Sequence, residues 1–350
     1  MKALFLLRTN GSYNTTTSKS GLLNSSRMTA EALQKYLWVD TKLVVIVDSN
    51  SIDREIHKFK PDVVFLEAIW ITPEKMRELT RLHPKIKFVI RVHSETPFLS
   101  NEGEAISRIK HLERIHNVHI AFNSRTTTND FIRTEVDKDA EYLPNIYDID
   151  YTPTRITTFT AKLLKLLGLK KSEFRKNTIN VGCFGAIRPM KNQLIQAMAA
   201  IELANKLDIK LYFHINFSRL EQGGESVYKN MKALFEGTKH ELVEHGWLDR
   251  ENFLLLISQM DIGMQVSFNE SFNIVTADFV KQDIPILVSP SINWMPLQAT
   301  ADPENQEEMV QKLLIILRHM NYFRRVNKRS LIQYNNIALR IWRNYLKYIK

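Results

Sequence analysis

Cysteine is nearly absent from this 350-residue chain, with Cys183 the single example. That excludes an internal disulfide framework and any cysteine-cluster zinc site, and Cys183 reads as a small core residue. No run of about 18 apolar residues occurs, so no helix is expected to cross a bilayer. The opening "MKALFLLRTN" holds one short apolar run that ends in Arg8, with no small-residue cleavage site. It reads as a buried first strand rather than a signal peptide, and the chain as cytoplasmic. Phosphate-loop (G-x-x-x-x-G-K-[ST]), dinucleotide (G-x-G-x-x-G) and nucleophile-elbow (G-x-S-x-G) patterns are missing, which removes those enzyme classes. "HLERIH" places His111, Glu113 and His116 on a helix without the zincin spacing, and they read as solvated side chains.

Acid is missing from one long segment. Arg318, Arg324, Arg325, Lys328, Arg329, Arg340, Arg343, Lys347 and Lys350 follow one another with no Asp or Glu between them, and the whole chain carries +10. Such a run is either a solvated helix face or a docking surface for another domain or a polyanion, and the interleaved Tyr322, Phe323, Tyr334, Trp342, Tyr345 and Tyr348 favour docking. A basic surface attracts phosphate, whether in a nucleotide, an anionic membrane or nucleic acid.

The rest is ordinary globular material, 44% hydrophobic and 25% charged, long enough for two cores. Short apolar runs ("KALFLL", "KLVVIV", "PDVVFLE", "KFVIRV") alternate with helix-periodic stretches up to a connector near "EYLPNIYDIDYTPTR". A second alternation runs from "TINVGCFG" to "NQEEMVQKLLIILRHM". Both patterns predict parallel sheets covered on each face, hence two doubly wound α/β domains. In "NQLIQAMAAIELANKL" the residues Leu194, Met198, Ile201 and Ala204 share one predicted helix face. Ligands of such sheets bind beyond the carboxyl ends of the strands, so a cleft lined by those loops is the expected site.

Two stretches carry candidate chemistry. In "VGCFGAIRPMKNQ" a strand gives way to Gly185, then Arg188 and Lys191 precede a helix. Glycine allows close backbone approach, a helix start offers free N–H groups, and two cations reach a diphosphate. In "DIGMQVSFNESFNIVTADFVKQDIPILVS" a strand, a turn and a helix succeed one another, so that Glu270 lies before the helix and Asp278 one to two turns inside it. The amides near Asn273, Ile274 and Val275 sit at the positive end of the helix dipole, suited to phosphate. Read from these residues alone, Glu270 and Asp278 are either capping acids or acceptors of hydrogen bonds from sugar hydroxyls.

The order and spacing of Gly246, Asp261, Ser267, Glu270, Phe272, Asp278 and Pro285 resemble the C-terminal domain of retaining GT-B glycosyltransferases of family 4, the glycosyl transferases group 1. "GAIRPMKN" is similar to that family's diphosphate turn, "YLPNIYDID" to the end of its first domain through Pro144, Asn145 and Asp148, "RVHSETPF" to its strand-end histidine segment, and "NSRTTTNDF" to the following serine-led helix start at Ser124. The resemblance implies a GT-B fold of two doubly wound Rossmann-like domains facing a cleft. It divides the chain into an acceptor-side domain (1–150), a linker (151–177), a nucleotide-sugar domain (178–320) and a basic C-terminal helix (321–350) that packs back on the first domain.

The activity implied is metal-independent transfer of a hexose or pentose from a UDP- or GDP-sugar to an acceptor hydroxyl, with retention. Gly185, Arg188, Lys191, Asn273, Ile274, Val275 and Asp278 would bind the donor, and Glu270, His93, Arg188 and Lys191 would act on the transferred sugar and its leaving diphosphate. The acceptor is a lipid or polysaccharide glycan, or a hydroxylated DNA base, held through the basic C-terminal segment with the enzyme peripheral at a membrane in the first case. A nucleotide-sugar epimerase and a non-catalytic sugar or nucleic-acid binding module stand as alternatives. Departures from the family pattern are Asp278 in place of Glu, Ser271 and Asn273 in place of small glycines, and Asp283 where glycine usually precedes the proline.

Overall fold

The computed structural model describes residues 1–8, 21–147 and 177–349. Two compact units emerge, Met1–Ile149 with Tyr334–Lys350 in one and Asp150–Gln333 in the other. The expected linker lies, but for residue 177, outside the described residues, as does Asp148.

The first unit strings together β1 (Lys2–Arg8), α1 (Gly21–Leu37), β2 (Asp40–Ile46), α2 (Ser51–Phe59), β3 (Val63–Glu67), α3 (Pro73–Leu82) and β4 (Lys87–Val92). It continues through α4 (Thr96–Leu99), α5 (Ala105–Leu112), β5 (Val118–Phe122), α6 (Arg125–Arg133) and β6 (Glu141–Tyr142). The strands pair in the order β2-β1-β3-β4-β5-β6, and every pairing is parallel. All five residues of β3 are buried, as a strand covered on both faces requires. Phe5 stacks on Phe65 at 4.7 Å.

The second unit holds β7 (Thr178–Gly182), α7 (Gln193–Lys206), β8 (Lys210–Asn216), α8 (Gly224–Phe235), β9 (Glu241–His245), α9 (Arg250–Ile257), β10 (Ile262–Gln265), α10 (Ile274–Lys281), β11 (Ile286–Val288) and α11 (Gln306–Arg318). Its sheet runs β11-β10-β7-β8-β9. The chain therefore leaves β7 toward β8 and β9, then returns to β7's other side with β10 and β11. The strand order reverses between β7 and β10, and in such sheets ligands bind beyond the carboxyl ends at that point. On α7 the buried face runs through Ala197, Ala200, Leu203 and Ala204. The small alanines let the helix lie close to the sheet and leave the longer Met198, 40% exposed, outside.

Glycine sets the position of α10. A Cβ on Gly182 would lie 2.8 Å from the Phe279 ring, and one on Gly263 2.7 Å from it. Bare backbone on β7 and β10 thus admits Phe279 and seats the helix against these two strands.

The chain ends in one long helix, α12 (Met320–Tyr348). Within the first unit, its Trp342 lies 5.3 Å from Phe65 edge-on and donates from Nε1 to the Pro144 carbonyl at 2.8 Å. Arg325, Arg329, Arg340, Arg343 and Lys347 on the same helix are exposed. Among the described residues no helix is long and apolar enough to cross a membrane.

Candidate functional site

The loop after β7 begins at Gly185, whose φ of +116° is open to glycine and costly for other residues. Its N–H donates to Asn216 Oδ1 at 3.0 Å. A short turn, Pro189–Lys191, follows and ends on Asn192 in the left-handed region. Asn192 is 5% exposed and donates to the carbonyls of Val266 at 3.0 Å and Pro303 at 2.7 Å. From the loop after β10 the Phe268 N–H donates to the Met190 carbonyl at 3.0 Å. Gln196 Oε1 accepts from the Val266 N–H at 2.8 Å. The two candidate loops are laced together by backbone and amide bonds, so the side chains they carry are held at fixed spacing.

Those side chains meet. Lys191 Nζ and Glu270 Oε1 form an ion pair, with side-chain exposures of 12% and 9%. Attraction between half-sheltered opposite charges is stronger than on an open surface, and it also keeps each group from being desolvated alone. Beside them α10 begins at Asn273, which occupies the left-handed region (φ 54°) and accepts from the Thr276 N–H at 2.9 Å. Asn273 Nδ2 donates to Gln265 Oε1 at 2.9 Å, and Gln265 Nε2 donates to the Phe184 carbonyl at 2.8 Å. The cap therefore connects β10 to the end of the β7 loop. Ile274 and Val275 are half-buried at the first turn.

Other expected residues lie differently. Arg188 reaches Glu221 at 3.4 Å, a carboxylate that Arg219 also holds. Asp278 is 1% exposed and accepts from Arg250 Nη2 at 2.7 Å. A ribose at Asp278 has to join or displace that guanidinium. Arg250, at the first position of α9 behind the Asp249 cap, escaped sequence reading because nothing in its own neighbourhood announces a partner 28 residues away. Cys183 is 2% exposed, and burial pushes its thiol up to about 12, against the nearby Lys191 charge. It is a core residue with no nucleophilic character at neutral pH.

In the first unit the strand ends carry a sealed cluster. His93 Nε2 lies 2.6 Å from Glu67 Oε2. Arg91 Nη1 donates to both Glu67 oxygens at 2.8 and 2.9 Å, and Nη2 donates to the Leu143 carbonyl at 3.2 Å and Asn145 Oδ1 at 3.0 Å. Glu67 and Arg91 side chains are both 0% exposed. Burial works to raise the Glu67 carboxyl, but Arg91 and His93 outweigh it and hold the group at about 2. Burial likewise drives His93 down, against the pull of Glu67. A neutral His93 beside an ionised carboxylate must carry its proton on Nε2. That leaves Nδ1 as an acceptor, 3.4 Å from the Asn123 amide nitrogen. Glu67 and Arg91 were missed from sequence because each reads as an ordinary strand-end charge. Ser124 caps α6, accepting from the Thr127 N–H at 3.4 Å.

Compared with known protein families the sequence matches none, and no curated protein matches it. Solved structures do match in fold. Sucrose-phosphate synthase from Thermosynechococcus elongatus superposes with a TM-score of 0.68 at 14% identity, covering 99% of each chain. HepE from Anabaena, in complex with UDP and glucose, gives 0.65 at 14% identity over 100% of this chain and 99% of its own. A UDP-forming α,α-trehalose-phosphate synthase from Burkholderia vietnamiensis gives 0.68 at 10% identity over 99% and 96%. The chain has the GT-B fold, with two Rossmann-like parallel-sheet domains.

Proposed function

We propose that this protein is a glycosyltransferase that moves a sugar from a nucleotide-diphosphate donor to an acceptor hydroxyl, with retention of configuration and without a metal ion. The observation that carries the reading is the Lys191–Glu270 ion pair, set where the strand order of the second unit reverses and beside the start of α10. A diphosphate takes the place of the Glu270 carboxylate on Lys191. Glu270, released, accepts hydrogen bonds from the hydroxyls of the transferred sugar.

In the reaction the bond between the anomeric carbon and the diphosphate oxygen breaks, and its electron pair stays on that oxygen. Lys191, Arg188 and the first amides of α10 at Asn273, Ile274 and Val275 stabilise the charge that develops there, and they are in place before it forms. The acceptor oxygen bonds to the anomeric carbon from the face the diphosphate leaves, and its proton passes to the departing phosphate oxygen. Gly185 keeps the turn open to the diphosphate, and Asp278 with Arg250 addresses the ribose. His93 serves the acceptor side, oriented by Glu67. UDP is the favoured nucleotide, since HepE is described with UDP-glucose bound, with GDP the other choice. The exposed cations of α12 fit an anionic acceptor, either a lipid-linked or polysaccharide glycan at a membrane surface or a hydroxylated base in DNA. A cytoplasmic location, peripheral at a membrane in the glycan case, accompanies this reading.

Thermal shift with UDP, GDP, UDP-glucose and other nucleotide sugars tests it, followed by donor hydrolysis and transfer to glycan and DNA panels. Stabilisation by one nucleotide that disappears in Lys191→Ala and in Glu270→Ala is the expected result. Equal stabilisation of both variants and the parent removes the site assignment.

A further inference from the structure

Away from both strand-end clusters, a helix and a neighbouring helix terminus bring three metal-ligating side chains together. Asp53 and His57 stand one turn apart on α2, and His83 caps the C-terminus of α3. Asp53 Oδ1 lies 2.8 Å from His83 Nε2 and 3.4 Å from His57 Nδ1. The two imidazole rings meet edge to face with centroids 5.3 Å apart. One donor atom from each of the three falls within 4.8 Å of the others.

We propose that Asp53, His57 and His83 form a binding site for a divalent transition metal of the zinc class. Two imidazoles and one carboxylate are the donor set that suits zinc, cobalt or nickel, whereas calcium and magnesium prefer oxygen alone. An ion bonded at about 2.0–2.1 Å to tetrahedral ligands holds neighbouring donor atoms roughly 3.3 Å apart. The Asp53–His57 spacing already has that value, and His83 needs to back away by about half an ångström.

The anchoring differs from residue to residue in a way that favours a site assembled on demand. His83 has a side chain only 10% exposed, and its N–H is fixed to the Leu79 carbonyl at 2.9 Å. His57 is 70% exposed and its Nδ1 also lies 3.0 Å from the Asp53 carbonyl, a contact it gives up as the ring turns to the ion. On and beside α2, Arg54, Lys58 and Lys42 all pair with the Glu55 carboxylate. Three protein ligands leave a fourth position for water. The bound ion ties α2 to the end of α3.

The full-length protein, stripped with a chelator, is titrated with Zn²⁺ by calorimetry and with Co²⁺ by visible absorption. One equivalent of Zn²⁺, tetrahedral Co²⁺ bands and a higher melting temperature with Zn²⁺ are expected. Affinity falls by at least about tenfold in Asp53→Asn and in His83→Gln. His57→Ala, a change at an exposed position that leaves folding intact, gives the same loss. Absence of saturable binding at one equivalent, or binding that survives these substitutions, overturns the proposal and leaves a hydrogen-bonded aspartate–histidine pair.

Discussion

Each unit carries an acid–cation pair where its sheet ends, and the two pairs are built on opposite terms. Glu67 and Arg91 are completely enclosed, bonded to each other and to His93, Leu143 and Asn145. Lys191 and Glu270 keep some exposure and arrive on loops from two different strands. Taking a charge out of water costs several kcal/mol, so a sealed pair is a commitment that only unfolding undoes. A pair that keeps an opening to water can exchange one partner for a ligand at a lower cost. The first unit uses charge as scaffold, and on the proposed reading the second holds it in reserve for an anion.

The contrast breaks hardest at Glu67. Replacing it with Leu leaves Arg91 charged and alone in the interior, and about 3–5 kcal/mol of stability is expected to be lost. Urea unfolding measures this, and Arg91→Met added to Glu67→Leu should recover much of it. The pH profile gives a second handle. Glu67 sits at about 2 when folded, below its ordinary 4.5, so its contribution is complete above pH 4.5 and disappears as pH falls from there toward 2. His93 is also held below its ordinary value. A group that binds fewer protons when folded loses stability as pH drops, so His93 adds a decline that starts higher, below about 6.5. The lower step should vanish in Glu67→Leu.

Next in size is Asn273→Ala. The cap on Thr276 is lost, worth about 1 kcal/mol, and alanine is forced into the left-handed region at about 1 kcal/mol more. Asn273→Gly should restore the backbone part alone, with each difference read from unfolding midpoints. Lys191→Ala inverts the pattern of Glu67. It should cost less than Glu67→Leu, about 1–2 kcal/mol, because Glu270 keeps a narrow opening to water once Lys191 is removed, yet abolish the thermal shift caused by the nucleotide. If Lys191→Ala destabilises as much as Glu67→Leu, the distinction between reserve and scaffold fails.

What the sequence disclosed follows from what is local. The β–α alternation, the strand-turn-helix around Glu270 and the loop from Gly185 to Lys191 are contiguous, so period and punctuation reveal them. The pairs Glu67–Arg91 and Asp278–Arg250 join residues 24 and 28 positions apart through strand register and helix packing, and no short window contains both members. Leu194, Met198, Ile201 and Ala204 share a helix face by period, yet only Ala204 among them is fully buried, because the width of the buried face depends on how closely alanines allow the helix to approach. Two departures from the family pattern became intelligible only from dihedral angles. Asn273 (φ 54°) and Asp283 (φ 58°) both stand in the left-handed region, where asparagine and aspartate are the side chains best able to replace glycine.

Asp283 supplies the smallest and most local test. It follows Gln282, the C-cap of α10; its N–H donates to the Val280 carbonyl at 3.2 Å, and the Ile284 N–H donates to the Phe279 carbonyl at 3.0 Å. These two bonds form the double closure that ends many helices and that glycine serves best. Asp283→Gly relieves the side chain's resistance to that backbone, and the added freedom of the unfolded glycine offsets part of the gain. A net stabilisation of about 0.5–1 kcal/mol is expected, a rise of roughly 1–4 °C in the melting transition. Lys60, at φ 53° after α2, offers the same backbone change in the other unit. If the units unfold as separate cooperative bodies, calorimetry should show Asp283→Gly moving one transition and Lys60→Gly the other. A single transition shifted equally by both would mean that the units unfold together, and stability differences between their two charge pairs would then be shared by the whole chain.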